Sequence, residues 1–440
     1  MEAPLRVALI SEHASPLAQQ GGVDAGGQNV YVAHVAAALA RRGHHVDVLT
    51  RRDHRALPTA VDMRPGVRVF HIDAGPPAFV PKEELLPHMR AFGAAALRLM
   101  RGSLRHDVMH ANFFMSGLVG LRLRRVVGVP LVQTFHALGA VRRLHQKEAD
   151  RFPQERIAIE RRIAEEADCV IAECPQDAED LIRHCGASPD RIAQVPCGVD
   201  LDEFGPGDRA EARRKLKLAQ DEFIVLQLGR LVPRKGVDNV IRAVARLPAG
   251  TPWRLLIVGG ESTQPDETRT PEIARLRRIA QDCGVQARVT FVGRRDRTQL
   301  RDYYRAADVF VTTPWYEPFG ITPLESMACA TPVIGAAVGG IQHSVVDGLT
   351  GFLVPAEDPA VLALRLDDLR RQPELGRLMG RAGLQRAQRE FTWDSVAARL
   401  AAVYGALASR REPRQVAGLH RLAAARPPSI AAMPVVEAKG

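Results

Sequence analysis

Short apolar runs alternate with amphipathic segments along most of the chain. Residues 5–10 predict a strand, and residues 28–42 predict a helix because their apolar side chains recur three and four positions apart. Residues 45–50 predict the next strand, which completes a βαβ unit. Such alternation is typical of a parallel sheet covered by helices on both faces.

The alternation continues in two series, separated by a segment rich in Gly, Pro and Asp at residues 198–207. That composition predicts a linker. The first series adds strands at residues 108–110, 130–135, 169–172 and 192–196. The second series has strands at residues 223–229, 253–258, 288–292, 309–312, 332–334 and 351–354.

Two doubly wound α/β domains facing each other across a cleft are therefore the predicted fold. A length of 440 residues agrees, because one hydrophobic core rarely grows so large. We predict an N-terminal domain at residues 1–200, a C-terminal domain at 201–390, a helix at 391–409 that returns to the N-terminal domain, and a flexible tail at 410–440.

The cysteine pattern and the first residues of the chain indicate the cellular compartment. The six cysteines contain no C-x-x-C pair, so neither a zinc site nor a disulfide framework is predicted, and we expect a reducing cytoplasm. The first residues lack the pattern of a signal peptide. No run of about 18 apolar residues predicts a membrane span.

The net charge of +10 favours anionic partners, which could be phosphorylated small molecules, acidic membrane surfaces or nucleic acid. No basic stripe interleaved with aromatic residues predicts a nucleic-acid platform. A basic tail offers a peripheral membrane contact, although such tails are usually only solvated. Its arginines are Arg410, Arg411, Arg414 and Arg421.

A glycine-rich loop at residues 11–29 follows the first strand. Ligands of open α/β sheets bind at such strand ends, and glycines let the backbone approach a phosphate at the following helix start. The spacing is not G-x-G-x-x-G, which argues against a dinucleotide site. A flexible surface loop is the alternative. The glycines are Gly21, Gly22, Gly26 and Gly27.

A cationic loop at residues 229–236 follows the first strand of the second series. Arg230, Arg234 and Lys235 suit a diphosphate, because Arg can donate two hydrogen bonds to a phosphate and Lys adds a point charge. Solvated loop cations are the alternative.

The segment at residues 317–325 carries the strongest chemical signal. Thr322 as N-cap, Pro323 in the first helical position and Glu325 three residues after the cap predict a capping box, which would explain Glu325 structurally. A cap does not explain Glu317. It also does not explain the backbone N–H groups of residues 319–321, which could meet a pyrophosphate.

These three motifs in this order resemble the retaining glycosyltransferase family 4, which has the GT-B fold of two Rossmann-like domains. The motifs are the glycine loop, G-R-x3-R-K-G at residues 229–236, and E-x7-E at residues 317–325. The resemblance covers most of residues 1–405. Within the family, residues 24–40 resemble the branch that holds sucrose-phosphate synthases and D-inositol-3-phosphate glycosyltransferases.

The resemblance implies a nucleotide-sugar donor, with a UDP-sugar favoured, and no cofactor or metal. It implies catalytic roles for Arg230, Lys235, Glu317 and His136. It implies donor binding by Gly22, Gly27, Phe319, Gly320, Ile321 and Glu325.

The acceptor side departs from the family pattern. The resemblance places Asn29, Lys82 and Arg156 at the acceptor phosphate. However, Phe113 replaces an expected aromatic hydroxyl, and Ala137 replaces an expected threonine. Since a site built for hydroxyls is sensitive to such losses, the acceptor is predicted only as a hydroxyl compound such as a phosphorylated sugar or polyol.

The expected chemistry is hexosyl transfer in which Arg230 and Lys235 offset charge on the departing phosphate. Asp200-Leu-Asp202 matches the D-x-D pattern of metal sites, but its place in the linker indicates a solvated or capping pair. Three alternatives remain: a sugar-nucleotide epimerase, a phosphorylase, and a non-catalytic sugar-nucleotide-binding protein. Partners other than donor and acceptor, and the oligomeric state, are not predicted.

Overall fold

Two mainly parallel sheets form the framework of the protein. The computed structural model describes residues 3–18, 26–102 and 104–410. In chain order the strands of the first sheet are β1 (Arg6–Ile10), β2 (His45–Arg51), β3 (Ala60–Arg64), β4 (Val67–Ile72), β5 (Val108–Asn112), β6 (Leu131–Thr134), β7 (Cys169–Ala172) and β8 (Ile192–Gln194). Their spatial order is β3-β4-β2-β1-β5-β6-β7-β8, and only β3 with β4 is antiparallel.

The second sheet is wholly parallel. Its strands are β9 (Phe223–Leu228), β10 (Trp253–Val258), β11 (Val289–Gly293), β12 (Val309–Thr312), β13 (Val333–Ala336) and β14 (Gly351–Val354). Their spatial order is β11-β10-β9-β12-β13-β14. The neighbours of β9 and of β1 show that the chain turns back from its first strand in both sheets, so both are doubly wound as predicted.

Helices connect most of the strands. Those associated with the first sheet are α1 (Gly27–Arg41), α2 (Met89–Gly102), α3 (Phe114–Val127), α4 (Gly139–Gln146), α5 (Glu155–Glu166) and α6 (Pro175–Cys185). Later in the chain come α7 (Arg209–Lys215), α8 (Val237–Val244), α9 (Glu272–Asp282), α10 (Arg297–Ala306), α11 (Ile321–Ala328), α12 (Ile341–Ser344), α13 (Pro359–Arg371), α14 (Pro373–Glu390) and α15 (Trp393–Ala408).

Most of the predicted elements are confirmed to within two or three residues. The β3–β4 hairpin was not predicted, because β3 is half-exposed and has charged residues on its open face. The tail at residues 411–440 lies outside the described residues, and the predicted domain boundaries stay predictions.

The chain crosses between the two sheets at two adjacent points. Val199, on the first crossing, donates its N–H to the carbonyl of Phe391 on the second at 2.7 Å. A Cβ on Gly198 would lie 2.7 Å from the Trp393 ring, so only glycine fits this crossing. The two connections therefore form one packed hinge.

After the second crossing, α15 packs against α1 beside the first sheet. The Trp393 ring stacks on His34 of α1 at 5.1 Å with an interplanar angle of 8°. Further along α15, the Tyr404 hydroxyl lies 2.6 Å from Nδ1 of His110 on β5. One buried apolar cluster continues from the first sheet through Trp393 into the second, so the sheets share a core at the hinge.

Candidate functional site

The cationic loop after β9 faces the 317–325 segment after β12. Lys235 donates a hydrogen bond to the Glu317 carboxylate. Gly236 directly after it has φ +64°, and a Cβ there would lie 2.0 Å from the carbonyl oxygen of Thr313. Only glycine permits this approach, which brings two motifs 82 residues apart into contact.

The Glu317 carboxylate interacts with several positively charged side chains. Burial would raise the pKa of Glu317, but Lys235 and then Arg234 lower it below its ordinary value. Burial lowers the pKa of Lys235, against the opposing effect of Glu317. Arg230 is exposed and adds positive potential to both groups. Glu317 is therefore a carboxylate that lies among three positive side chains.

Arg234, predicted with Arg230 and Lys235 as a diphosphate ligand, lies at the edge of this contact. Its Nη1 is 4.0 Å from Glu317 Oε2, and its guanidinium lies over the Tyr316 ring at 5.2 Å. On the opposite side of the cleft, Gln146 donates to the Tyr316 hydroxyl at 2.5 Å. Tyr316 thus links the cationic loop to α4 beside the first sheet.

The helix after Glu317 begins differently from the prediction. Its N-cap is Gly320, at φ +88° and without a side-chain cap, so the predicted capping box on Thr322, Pro323 and Glu325 is wrong. The sequence pattern fitted a box, but glycine at positive φ starts the helix two residues earlier. The first N–H groups of a helix lack intrahelical acceptors, so Ile321 and its neighbours form an anion-binding geometry.

A glycine pair after β13 supports this loop from behind. Gly340 donates its N–H to the carbonyls of Glu317 and Pro318, both at 3.2 Å. A Cβ on Gly340 would lie 2.3 Å from the Phe319 backbone, and a Cβ on Gly339 would lie 1.8 Å from the Glu317 carbonyl oxygen. No role was predicted for this pair, which two adjacent glycines three residues after a strand could have indicated.

Glu325 is buried in a polar network. Its Oε1 accepts from Arg297 at 2.7 Å, and its Oε2 accepts from the Tyr304 hydroxyl at 2.9 Å. Arg297 also donates to Glu203 at 2.6 Å. Arg297 and Tyr304 were not predicted as site residues, because nothing in the local sequence pattern links them to Glu325.

His136 lies two residues after the end of β6 and has a left-handed conformation, with φ +59°. Its Nε2 donates to Asn112 Oδ1 at 3.0 Å, and its Nδ1 lies 3.4 Å from Glu173 Oε1. The Tyr31 ring packs edge-on against the imidazole at 4.8 Å. Such backbone strain in a non-glycine residue is typical of functional sites. Contact between His136 and a donor stays a prediction.

The N-terminal glycine loop meets the 317–325 segment across the cleft. A Cβ on Gly27, the first residue of α1, would lie 3.7 Å from Cδ1 of Ile321. Cys174 donates to the carbonyl of Pro318 at 3.4 Å from the same side. Gly22 lies outside the described residues.

The predicted acceptor residues are tied into the protein. Asn29 accepts from the N–H of Gly26 at 3.0 Å and donates to the carbonyl of Ser15 at 3.0 Å, so it caps α1 and holds the preceding loop. Lys82 begins a 3₁₀ turn, Lys82–Glu84. The structure does not join Asn29 and Arg156 by a direct hydrogen bond or ion pair.

Arg156 is enclosed by aromatic rings. Its Nε donates to Glu160 at 2.7 Å, and Nη2 donates to the carbonyl of Ala137. The guanidinium lies 4.8 Å from the Phe113 ring and 4.5 Å from the Phe152 ring. Its Nη1 is buried and has no hydrogen-bond partner among the described residues. Contact between Arg156 and an acceptor phosphate stays a prediction.

One cluster at the hinge has ligand types that metals prefer. Within the described part of the chain, this cluster consists of His34, Asp200 and Glu203, whose possible ligand atoms all lie within 4.8 Å of one another. Burial, followed by Arg297, lowers the pKa of His34 to about 4. However, Glu203 already pairs with Arg297, which disfavours a second cation. Asp200 Oδ1 accepts from two N–H groups at residues 202 and 203, so it caps this turn as predicted for the D-x-D pattern.

A cavity of about 290 Å³ opens beside Glu317, between the two sheets. Its walls include α4 and α6 on one side and residues 315–318 and 337–342 on the other.

Across the described residues, each helix is too short or too polar to cross a lipid bilayer.

Two protein families and a known glycosyltransferase match most of this chain. The family described as Glycosyltransferase Family 4 matches residues 25–203, and the family described as Glycosyl transferases group 1 matches residues 208–386. A D-inositol 3-phosphate glycosyltransferase from Acidothermus cellulolyticus is 42% identical over 417 residues, which are 93% of this chain and 92% of the relative.

Solved structures agree with that similarity. A sucrose-phosphate synthase from Thermosynechococcus elongatus aligns with a TM-score of 0.84 and 36% identity, over 92% of this chain and 99% of that chain. The Anabaena protein HepE, solved with UDP and glucose, aligns with a TM-score of 0.69 and 20% identity over 91% of this chain and 99% of that chain, which shows the fold alone. The fold of both neighbours is the predicted arrangement of two facing Rossmann-like units.

Proposed function

Because the chain belongs to glycosyltransferase family 4, we propose that it transfers a hexosyl group, with retention of configuration, from a UDP-sugar to a phosphorylated sugar or polyol. The observation that carries the proposal is the contact of Lys235 with Glu317 beside the N-terminus of α11. Cations and free N–H groups suit the diphosphate, and the carboxylate suits sugar hydroxyls.

The proposed mechanism is electrostatic. Negative charge grows on the nucleotide diphosphate as its bond to the sugar breaks, and Arg230 with Lys235 offsets that charge in the cleft. Glu317, deprotonated beside these cations, accepts hydrogen bonds from the donor sugar. Glu325 accepts from the ribose hydroxyls. The acceptor hydroxyl attacks the face from which the diphosphate leaves, and the leaving phosphate takes its proton.

The proposed reaction needs no metal ion, since side-chain cations occupy the diphosphate side of the site. We expect EDTA to leave turnover unchanged, and loss of activity that manganese restores would contradict this assignment. The relatives named for inositol phosphate and sucrose phosphate support a phosphorylated acceptor, as does the free Nη1 of Arg156. Six free cysteines support a cytoplasmic site of action.

Nucleotide release measured with and without acceptors tests the proposal. We expect UDP to form from UDP-glucose only when an acceptor is added, and faster with phosphorylated sugars and polyols than with their unphosphorylated counterparts. NMR of the product should show the anomeric configuration of the donor. UDP release without any acceptor would indicate hydrolysis, and conversion of the donor to another UDP-sugar would indicate an epimerase. Orthophosphate as the required acceptor would indicate a phosphorylase.

A further inference from the structure

Two side chains of one helix hold Glu325. Arg297 and Tyr304 lie seven positions apart on α10, which places them on the same helical face. They bond to different oxygens of the Glu325 carboxylate, at 2.7 and 2.9 Å. The Glu325 side chain is only 4% exposed, so these two bonds fix its orientation.

This arrangement leaves Glu325 able to bind a ligand. An ionised carboxylate has about four acceptor positions. Arg297 and Tyr304 use one on each oxygen, so each oxygen keeps a free position. Two neighbouring hydroxyl groups of a ribose match such a pair of acceptors.

Arg297 also contacts the linker between the sheets. Its Nε donates to Glu203 at 2.6 Å, and its guanidinium lies 4.7 Å from the centre of the Phe204 ring. Both residues belong to the turn that follows the first chain crossing at Val199. A single guanidinium therefore joins the α11 carboxylate to the hinge.

The third guanidinium nitrogen of Arg297, Nη2, makes no hydrogen bond with any described residue. It is also buried. It shares its carbon with Nη1, which is bonded to Glu325, so it lies close to that carboxylate. A buried donor without a partner is unfavourable, and a ligand oxygen would satisfy it.

We propose that Arg297 is a positioning residue that fixes the Glu325 carboxylate for the ribose of the donor nucleotide and joins this grip to the linker through Glu203. The inference rests on the proposed function, in which Glu325 holds the ribose. Since the contact acts on ribose hydroxyls, its removal changes the preference for ribose over deoxyribose, and a general loss of structure would not.

Calorimetric binding of UDP and 2′-deoxy-UDP tests the proposal. In Arg297→Gln we expect UDP affinity to fall about tenfold and 2′-deoxy-UDP affinity to fall much less, so that their ratio drops. Combined with Glu325→Gln, the same change should cost little more, because both act through one carboxylate. Equal losses for both nucleotides would overturn the proposal.

Three further variants complete the design. Glu203→Gln removes only the linker contact and should lower the ratio by less than Arg297→Gln does; an unchanged ratio would remove the linker from the proposal. Arg277→Gln breaks an exposed pair with Glu267 and is the matched control. Arg297→Lys keeps the charge but cannot serve both carboxylates through separate nitrogens, and it replaces Arg297→Gln if that variant does not fold.

The same ribose and deoxyribose pairs of ADP and GDP separate this inference from the proposed donor. If ADP or GDP binds the wild type and UDP does not, the uridine assignment fails and the ratio is measured with that nucleotide. Binding of none of these nucleotides would overturn both proposals.

Discussion

Lys235 and Glu317 form an ion pair, and in the reaction we propose an arriving diphosphate competes with Glu317 for the lysine. The pair keeps a half-buried cation and a half-buried carboxylate compensated until the ligand provides its own negative charge. Glu317 then becomes free to meet the sugar. At the scale of single residues, recognition is thus an exchange of ionic partners.

Removal of this lysine should slow the chemical step. We expect Lys235→Ala to lower kcat by about 100-fold or more, the usual effect of losing one group that stabilises developing charge. Arg242→Ala, an exposed cation of the nearby α8, is the control and should stay within about twofold of wild type. An unchanged kcat in Lys235→Ala, measured in folded protein at saturating donor, would contradict the mechanism.

Local sequence could reveal Lys235 and Glu317 because each belongs to a short motif. The contacts of Glu325 could not be predicted, since Arg297 lies 28 residues away and Glu203 in another part of the chain. Only the fold brings these charges together. The left-handed backbone of His136 could not be predicted from local sequence either, because positive φ is uncommon in non-glycine residues, even though histidine is enriched among them.

At the scale of elements, the position of α11 depends on a neighbouring loop. The Gly340 backbone lies against Phe319, immediately before the helix begins. The cap signals at Thr322 and Pro323 predicted a helix here, but the first residue of α11 depends on this contact and on the conformation of Gly320. The predicted cap at Thr322 failed for that reason.

Gly340→Ala should therefore weaken donor binding. Gly340 has φ −69°, a conformation that alanine tolerates, so the effect would come from the added methyl group, which must displace the Phe319 backbone. We expect the Kd for UDP to rise about tenfold or more, from a packing cost of about 1–3 kcal/mol.

Gly405→Ala is the matched control. Gly405 lies within α15 with open space around it, and alanine there should leave UDP binding unchanged and stabilise the fold by about 0.5–1 kcal/mol. Equal UDP affinity in the two variants would show that α11 does not depend on the glycine contact.

At the scale of the whole molecule, the buried His110 and the half-buried His34 and His343 make folding sensitive to acid. Burial is the main cause that lowers the pKa of His34 to about 4, of His110 to about 3 and of His343 to about 4. The ordinary value of 6.5 applies in the unfolded chain, which therefore binds more protons below pH 6.5. Their contribution to stability is present above pH 6.5 and is lost as the pH falls toward 4.

The free energy of unfolding should consequently fall between pH 6.5 and 5. Each histidine contributes a slope of up to about 1.4 kcal/mol per pH unit. His343→Gln removes one titrating group. Urea unfolding at several pH values should therefore show a slope of unfolding free energy against pH that is smaller by up to about 1.4 kcal/mol per pH unit. An identical slope in His343→Gln would show that His343 titrates alike in the folded and unfolded states.

The two-sheet architecture was predictable because buried parallel strands and amphipathic helices leave strong periodic patterns. The β3–β4 hairpin was not, since a half-exposed edge strand carries a weak pattern. The packing of His34 on Trp393 joins residues 359 positions apart, and no local pattern could indicate it.

The adjacent crossings at Val199 and Phe391 give the second sheet the topology of an insertion. Its entry and exit meet at one hydrogen bond, and the polypeptide on either side, from β1 to β8 and then α15, packs together. The segment between the two crossings is thus an inserted unit whose two ends lie side by side. Exchange of this inserted segment between relatives would change the half that holds the proposed nucleotide site and leave the other half of the cleft intact.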